Sequence, residues 1–316
     1  MYLSLCTDVL ADLSFSEMLD KVQSLGLHAV EMTSGGWGPC PHVRTAELLK
    51  DERKSKSFQE ELDKRGIEIA ALNCSGNPLA PGDMGQAHTK TSYDTVKLAK
   101  QLGVKKIVMM SGLPAGAPGD MTPNWFTSTQ TLPDDFPYMP KAIDYQWNEV
   151  AIPWWKKFAA YAKENGIEQI AIEEFPCQLV YNPETLFRLR DAVGNIIGIN
   201  LDPSHLLVMG ADPIAAARAL EGAIYHVHGK DARIERGLCD INGLMEYKPV
   251  TDCKHRTWNY VAVGCGQDLQ WWKEFFSVVH MVGYNGVVSL EMEDLTMSVE
   301  AGILTSIDAL EQTISK

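Results

Sequence analysis

The sequence predicts an α/β protein of the (β/α)8-barrel class, and three observations carry that expectation. Short β-rich apolar runs alternate with longer helical patterns along all 316 residues. The runs number eight. Several helical patterns end at a glycine suited to the position just past a helix C-terminus, namely Gly26, Gly66, Gly103, Gly166 and Gly283.

In chain order the expected strands are 2–6 (YLSLC), 28–32 (HAVEM), 67–73 (IEIAALN), 105–110 (KKIVMM), 169–173 (QIAIE), 197–202 (IGINLD), 223–228 (AIYHVH) and 286–291 (GVVSLE). Helices are expected at 15–25, where Phe15, Met18, Leu19 and Val22 share a face, and at 91–102, 148–165, 183–193, 213–221, 268–281 and 297–314. Eight such βα repeats favour a closed barrel over an open doubly wound sheet, as one domain spanning 1–316. No G-x-G-x-x-G follows the first strand and no P-loop is present, so dinucleotide and nucleoside-triphosphate readings lack their main support.

Two connections exceed ordinary βα turns: 111–145 after the fourth strand and 231–267 after the seventh. Both leave the C-terminal face, where barrels carry their catalytic groups. The first is rich in Gly, Pro and aromatics (Pro114, Gly116, Pro118, Gly119, Pro123, Trp125, Phe136, Tyr138); the second holds Trp258, Tyr260 and Gly264-Cys265-Gly266. They are expected to form a lid over a pocket, or contacts between subunits. Trp37, Trp125, Trp258 and Tyr260 would suit a sugar face or a flat aglycone, although tryptophan is also ordinary core and rim material.

Composition narrows the function classes. A hydrophobic fraction of 45% and a charged fraction of 22% are those of a soluble globular chain, and no run resembles a membrane span. The formal charge of −13 opposes binding to nucleic acid or anionic membranes, because phosphate recognition needs a basic surface. Seven scattered cysteines form no C-x-x-C pair, so reduced thiols are expected. The opening Met1-Tyr2-Leu3-Ser4-Leu5-Cys6-Thr7-Asp8 has no basic stretch and meets an acid early, unlike a signal peptide, and a cytoplasmic location is the expectation.

The last four strands each end on ionisable residues. They read Glu173-Glu174-Phe175-Pro176, Asp202-Pro203-Ser204-His205, His226-Val227-His228-Gly229-Lys230-Asp231 and Glu291-Met292-Glu293-Asp294. Taken singly, a carboxylate ending a strand is most often a helix N-cap or an ion-pair partner; Asp202 could cap the turn begun by Pro203, and Glu174 could point outward. Four successive strand ends are harder to explain that way. Strand alternation puts Glu173 and Glu174 on opposite faces, so only one looks into the barrel, whereas His226 and His228 share a face. Carboxylates gathered at an apolar barrel mouth need protons or a cation to neutralise them. A divalent ion held by Glu173, Asp202, a histidine of the pair His226/His228, and Glu291 meets that need. Three carboxylates and one imidazole suit Mn2+, Mg2+ or Co2+ better than a closed sulfur-rich zinc site, with Zn2+ still compatible.

The E-x-x-P, D-P-S-H, H-x-H-x-K-D and E-x-E-D segments, in this order and spacing, resemble the xylose isomerase-like barrel superfamily over essentially the whole chain. That group includes sugar isomerases and epimerases, inosose dehydratase-like enzymes and family 2 AP endonucleases. The resemblance implies metal ligands at Glu173, Asp202, His228 (or His226) and Glu291, with Mn2+ foremost, and a substrate contact at His205. Phe175 stands where relatives often carry His, a departure that removes one such contact. The AP endonucleases need extra zinc-binding histidines; of His28, His42 and His88 only His42 sits at a suitable loop, and with the acidic charge that reading falls away.

The stretches Leu72-Asn73-Cys74-Ser75-Gly76-Asn77-Pro78-Leu79, Met110-Ser111-Gly112-Leu113-Pro114 with Asn124-Trp125, and Tyr145-Gln146-Trp147 resemble a branch that includes the large subunit of C-glycoside deglycosidases. Those enzymes act on 3-oxo-glycosides with a small partner subunit, so a small partner or a homo-oligomer is implied here. The implied chemistry is removal of a proton beside the carbonyl of a sugar or oxo-sugar. Reprotonation then gives an isomer or epimer, and loss of a β substituent gives lyase or deglycosidase chemistry. Glu173 and Glu291 are the candidate bases, His205 and Lys230 candidate proton carriers, and Trp125, Asn77 and Arg233 candidate substrate contacts. The rival reading is a sugar-binding barrel without catalysis, against which the intact ligand set speaks.

Overall fold

The computed structural model describes residues 1–127 and 138–315. Eight parallel strands close into a barrel: β1 (Tyr2–Cys6), β2 (Ala29–Thr33), β3 (Glu68–Asn73), β4 (Lys106–Met110), β5 (Gln169–Glu173), β6 (Ile197–Leu201), β7 (Ile224–Gly229) and β10 (Val287–Leu290), in the order β1-β10-β7-β6-β5-β4-β3-β2. Every strand begins and ends within one residue of its expected position. Beyond them, β8 (Asp231–Ile234) and β9 (Trp258–Val261) form a separate antiparallel ribbon. All seven cysteines are free thiols. Among the described residues no helix is long and apolar enough to cross a membrane.

Two compact units make up the chain, residues 1–32, 58–70 and 199–316 in one, and 33–57 and 71–198 in the other. In the first, β1 pairs with β10 from Tyr2↔Val287 to Leu5↔Leu290, and Cys6 on β1 lies opposite Glu31 on β2. β10 pairs with β7, placing Ser289 opposite His228. The β6–β7 register shifts between Ile199 and Asn200, so Asn200 lies opposite His226. Such a bulge re-aims side chains next to it.

Helices of this unit start where their caps require. Ser14 and Glu17 form a reciprocal capping box at α1 (Phe15–Ser24), and Asp268 accepts the Trp271 N–H at the head of α11 (Leu269–Met281). Buried Trp272, Phe275 and Phe276 line one face of α11. The remaining helices here are α8 (Pro203–Val208), α9 (Pro213–Ala219), α10 (Arg236–Asn242) and α12 (Val299–Thr313).

In the second unit, β4 pairs with β5 from Lys106↔Gln169 to Met110↔Glu173. Its helix α4 (Gly82–Leu102) starts nine residues before the expected 91, and it ends at Gly103, whose φ of 72° is the left-handed turn that only glycine adopts without strain. The single helix expected at 148–165 is a π-helical turn, Tyr145–Ala151, followed by α6 (Ile152–Glu164). Pro153 explains the break: it has no N–H for the regular ladder, and its ring crowds the preceding turn. An Asn182–Thr185 capping box with Pro183 at the first turn opens α7 (Pro183–Val193). Three further helices were not among those expected from the sequence: α2 (Thr45–Lys50), α3 (Glu52–Asp63, divided evenly between the two units) and α5 (Tyr138–Asp144).

The long connection 231–267, expected as a loop, contains the β8–β9 ribbon and α10. Asp231 organises it. Its buried carboxylate accepts N–H groups of Ala232, Gly264, Gly266 and Gln267 and the Trp272 indole. A Cβ on Gly266 would sit 2.3 Å from the Ala232 carbonyl oxygen and 2.6 Å from an Asp231 oxygen, so this close approach needs glycine. In the connection 111–145, Ala115 bridges Pro123, and Phe136 lies outside the described residues.

Candidate metal centre

Asp202 shows how one carboxylate serves two ends. It is the N-cap of α8, with Oδ1 accepting the Ser204 N–H at 2.8 Å and the Ser204 hydroxyl at 2.7 Å. The expected capping role is therefore real but occupies one oxygen. Oδ2 faces His205 Nε2 at 3.3 Å and His228 Nδ1 at 3.6 Å. Pro203 fits the first turn because that position has no use for an N–H.

His228, near the end of β7, is fully buried and has two polar sides. Nδ1 faces Asp202 and, at 3.4 Å, Glu291 Oε2. Nε2 faces the Glu31 carboxylate at 3.2 and 3.3 Å and Asn200 Nδ2 at 3.1 Å. His226 points elsewhere: its Nε2 lies 2.7 Å from Glu31 Oε2 and 2.9 Å from Ser289 Oγ. Of the two expected histidines, His228 alone joins Asp202 and Glu291.

Glu291 directly follows β10 and is 24% exposed, so it is the member of this trio that reaches solvent. Its Oε2 also meets the Lys230 ammonium at 2.7 Å. Lys230 in turn contacts Glu293 at 2.6 Å and lies 4.4 Å from the centroid of the Tyr260 ring. His205 Nδ1 is 3.0 Å from the Tyr260 hydroxyl. Tyr260 comes from the ribbon, so the excursion after β7 supplies part of this site.

The charges support one another. Burial alone would raise the Asp202 carboxyl, but His205, His228 and Lys230 hold it below its usual range. Glu291 is held down against burial by Lys230 and His228. Burial would neutralise His228, yet the neighbouring anions, Glu31 first, raise its pKa well above normal. Lys230, against burial, is raised by Glu291 and Glu293.

The donor geometry fits a small cation. A divalent ion about 2.0–2.2 Å from oxygen and nitrogen ligands sets those ligands roughly 3–3.6 Å apart. The 3.6 Å and 3.4 Å separations around His228 Nδ1 match that spacing.

Glu173 closes β5 and is buried; Glu174, expected to point outward, is fully buried too, so alternation alone did not give its environment. Asn77 donates to the Leu113 carbonyl and accepts the Leu79 and Leu113 N–H groups, which makes it a loop staple. Trp125 packs edge-on against Tyr181. Trp258 lies under the Arg256 guanidinium and donates to the Leu244 carbonyl, a packing role. Arg233 pairs with Glu235 and lines a 440 Å³ surface cavity with Asn259, Lys254 and Thr296.

Glu31 was not singled out by sequence reasoning. Its signal was a single acid inside the apolar run Ala29-Val30-Glu31-Met32 of β2. Tyr260 was noted only as a loop aromatic.

A closed parallel barrel with carboxylates and imidazoles at its late strand ends defines a class of barrel proteins built to present ligands at one face. Residues 19–313 match the family model for the xylose isomerase-like TIM barrel, and the chain belongs to that family. It is 60% identical over 316 residues, 100% of both chains, to the uncharacterized protein YfiH of Bacillus subtilis (strain 168). Solved structures share the fold at low identity. The IOLI protein with a binding zinc atom aligns over 100% of both chains with a TM-score of 0.65 and 18% identity. A D-tagatose 3-epimerase-like protein aligns over 98% of this chain and 97% of its own, with a TM-score of 0.65 and 18% identity. The probable 3-DHS dehydratase AsbF of Bacillus anthracis aligns over 100% of both, with a TM-score of 0.65 and 16% identity.

Proposed function

We propose that this chain is a divalent-metal-dependent sugar isomerase or epimerase that removes a proton from the carbon beside the carbonyl of a sugar or oxo-sugar. The observation that carries the reading is the placement of His228 Nδ1 between Asp202 and Glu291 at ligand spacing. Glu173, which ends β5, is the proposed fourth ligand, as the resemblance of its Glu-x-x-Pro segment implies. Mn2+ is the proposed ion, with Mg2+, Co2+ and Zn2+ also compatible with oxygen and imidazole donors. The epimerase-like and zinc-holding structures of the same fold support the reading.

When bound, the ion would supply Lewis-acid stabilisation of the negative charge that develops on substrate oxygens as the proton leaves. The chain's own residues do the rest. Glu291, partly exposed and held ionised by Lys230, is the proposed base on one face of the sugar, and Glu173 the proposed base on the other. Lys230, clamped by Glu291 and Glu293, holds positive charge beside them, and His205, tied to Tyr260, orients a substrate hydroxyl.

A second outcome of the same proton abstraction is elimination from a 3-oxo-glycoside, as in the C-glycoside deglycosidases, with a small partner subunit. The stretches Leu72–Leu79, Met110–Pro114 and Tyr145–Trp147 favour it. Incubation with ketohexoses and with 3-oxo-glucosides plus Mn2+ in D2O distinguishes the outcomes. Deuterium beside the carbonyl is expected, and the product names the subtype. No exchange with either substrate would overturn the substrate class; absence of bound metal with indifference to chelator would overturn the metal reading.

A further inference from the structure

On the side of His228 away from Asp202 and Glu291, a buried polar group is assembled from three strands. Glu31 on β2 is 2% exposed; His226 and His228 on β7 and Ser289 on β10 are fully buried. Both imidazole Nε2 atoms converge on the one carboxylate. His226 Nε2 is 2.7 Å from Glu31 Oε2, and His228 Nε2 is 3.2 Å from the same oxygen and 3.3 Å from Oε1. Ser289 Oγ, 2.9 Å from His226 Nε2, secures the outer end. The strand register imposes the arrangement, since Glu31 lies opposite Cys6 and Ser289 opposite His228.

A buried carboxylate with two imidazoles is costly unless each group is hydrogen-bonded in a fixed sense. Glu31 can only accept when ionised, so His228 Nε2 carries the proton it takes, and the Asn200 amide 3.1 Å away then turns its oxygen, not Nδ2, toward that N–H. A neutral imidazole protonated at Nε2 has its lone pair on Nδ1, and Nδ1 is the atom facing Asp202 and Glu291.

We propose that Glu31 is a positioning residue for the metal centre: by accepting the His228 Nε2–H it fixes the tautomer and ring orientation that present Nδ1 as a ligand, with His226 and Ser289 holding Glu31 in place. The inference rests on the metal reading above. It extends that reading to residues outside the ligand set, which touch neither ion nor substrate.

A competing arrangement is a second cation shared by Cys6, Glu31 and His228, since Cys6 Sγ is 3.9 Å from His228 Nε2. Two features favour the positioning role. The 2.7 Å His226 Nε2–Glu31 Oε2 separation is shorter than the spacing of two ligands on one ion and is that of a direct hydrogen bond, so this carboxylate oxygen is already engaged by an N–H. A second ion would also require His228 to lose both ring protons and Cys6 to ionise beside a buried carboxylate.

The test measures Mn2+ affinity of the full chain by competition with a chelating dye, together with ion stoichiometry by elemental analysis. Glu31→Gln keeps the shape but offers an amide in place of an obligate acceptor, and the expected effect is roughly 10–100-fold weaker binding, with partial recovery in Glu31→Asp. A measurement on the unmutated protein covers the case in which these variants do not fold. In zinc-loaded protein labelled with 15N-histidine, the His228 resonances should show Nε2 protonated and Nδ1 bound to metal. The proposal is overturned by Glu31→Gln affinity within about twofold of the parent, by metal bound through Nε2, or by two ions per chain of which one is lost in Cys6→Ser. A parent protein that binds no divalent ion overturns this inference and the metal reading together, whereas tight binding without exchange leaves this one standing and removes only the substrate class.

Discussion

The Tyr260 hydroxyl lies 3.0 Å from His205 Nδ1, joining the ribbon beyond β7 to the helix that follows β6. Nε2 of the same ring faces Asp202 Oδ2 at 3.3 Å, so the tyrosine sets which side of the imidazole meets the site. Tyr260→Phe removes that hydrogen bond while keeping the ring over which Lys230 sits. Loss of about 1 kcal/mol of transition-state stabilisation, roughly a fivefold fall in kcat/KM for exchange, is expected. If the tyrosine acts through His205, combining the change with His205→Asn should add little further loss; fully additive losses in the double-mutant cycle would refute the coupling.

Lys230 is held between Glu291 and Glu293 with 3% of its side chain exposed. Lys230→Met leaves two carboxylates without their common cation. Breaking a fully buried pair costs about 3–5 kcal/mol, and the partial exposure of both glutamates reduces the expectation to roughly 1–3 kcal/mol. Urea unfolding should show that loss without metal and a smaller one with Mn2+, which shares Glu291. A variant as stable as the parent in metal-free buffer would contradict it.

Metal binding should appear as stability. At a free Mn2+ concentration about 100 times Kd, the folded state gains roughly 2.7 kcal/mol over the chelated protein. Asp202→Asn should abolish the increment by weakening the ligand set. A thermal midpoint that ignores both Mn2+ and chelator would count against the centre.

Asp231 supplies a pH dependence. Burial pushes its carboxyl up to about 6 even though Gln267, Gly266, Trp272 and Gly264 donate to it. An unfolded aspartate titrates near 3.9, so the folded state holds this proton more tightly. The contribution to stability is fully present below about 4 and is lost as pH rises through 6, a change of about 2–3 kcal/mol. The unfolding free energy of the parent minus that of Asp231→Asn, which does not titrate, should therefore fall between those pH values. A flat difference would rule out the raised pKa.

Much of this protein was legible in its chain because its signals are local. Alternating β-rich and helical runs gave the barrel, and the four ionisable strand ends gave Glu173, Asp202, His228 and Glu291 as candidates. Local pattern also failed where geometry was not local. Pro153 split one expected helix, and the 231–267 connection folded as a ribbon around Asp231.

Sequence by itself determined which strands end in ligand-type residues, because a side-chain period of two and the parallel direction of all eight strands are properties of each repeat. The tertiary structure alone decided that His228, and not His226, turns Nδ1 toward Asp202 and Glu291. That choice depends on register between strands: the shift at Ile199/Asn200, Ser289 opposite His228, and Glu31 reaching a histidine 195 residues away. Two imidazoles on one face of one strand are equivalent to any local rule, and only the groups packed across from them make the two different.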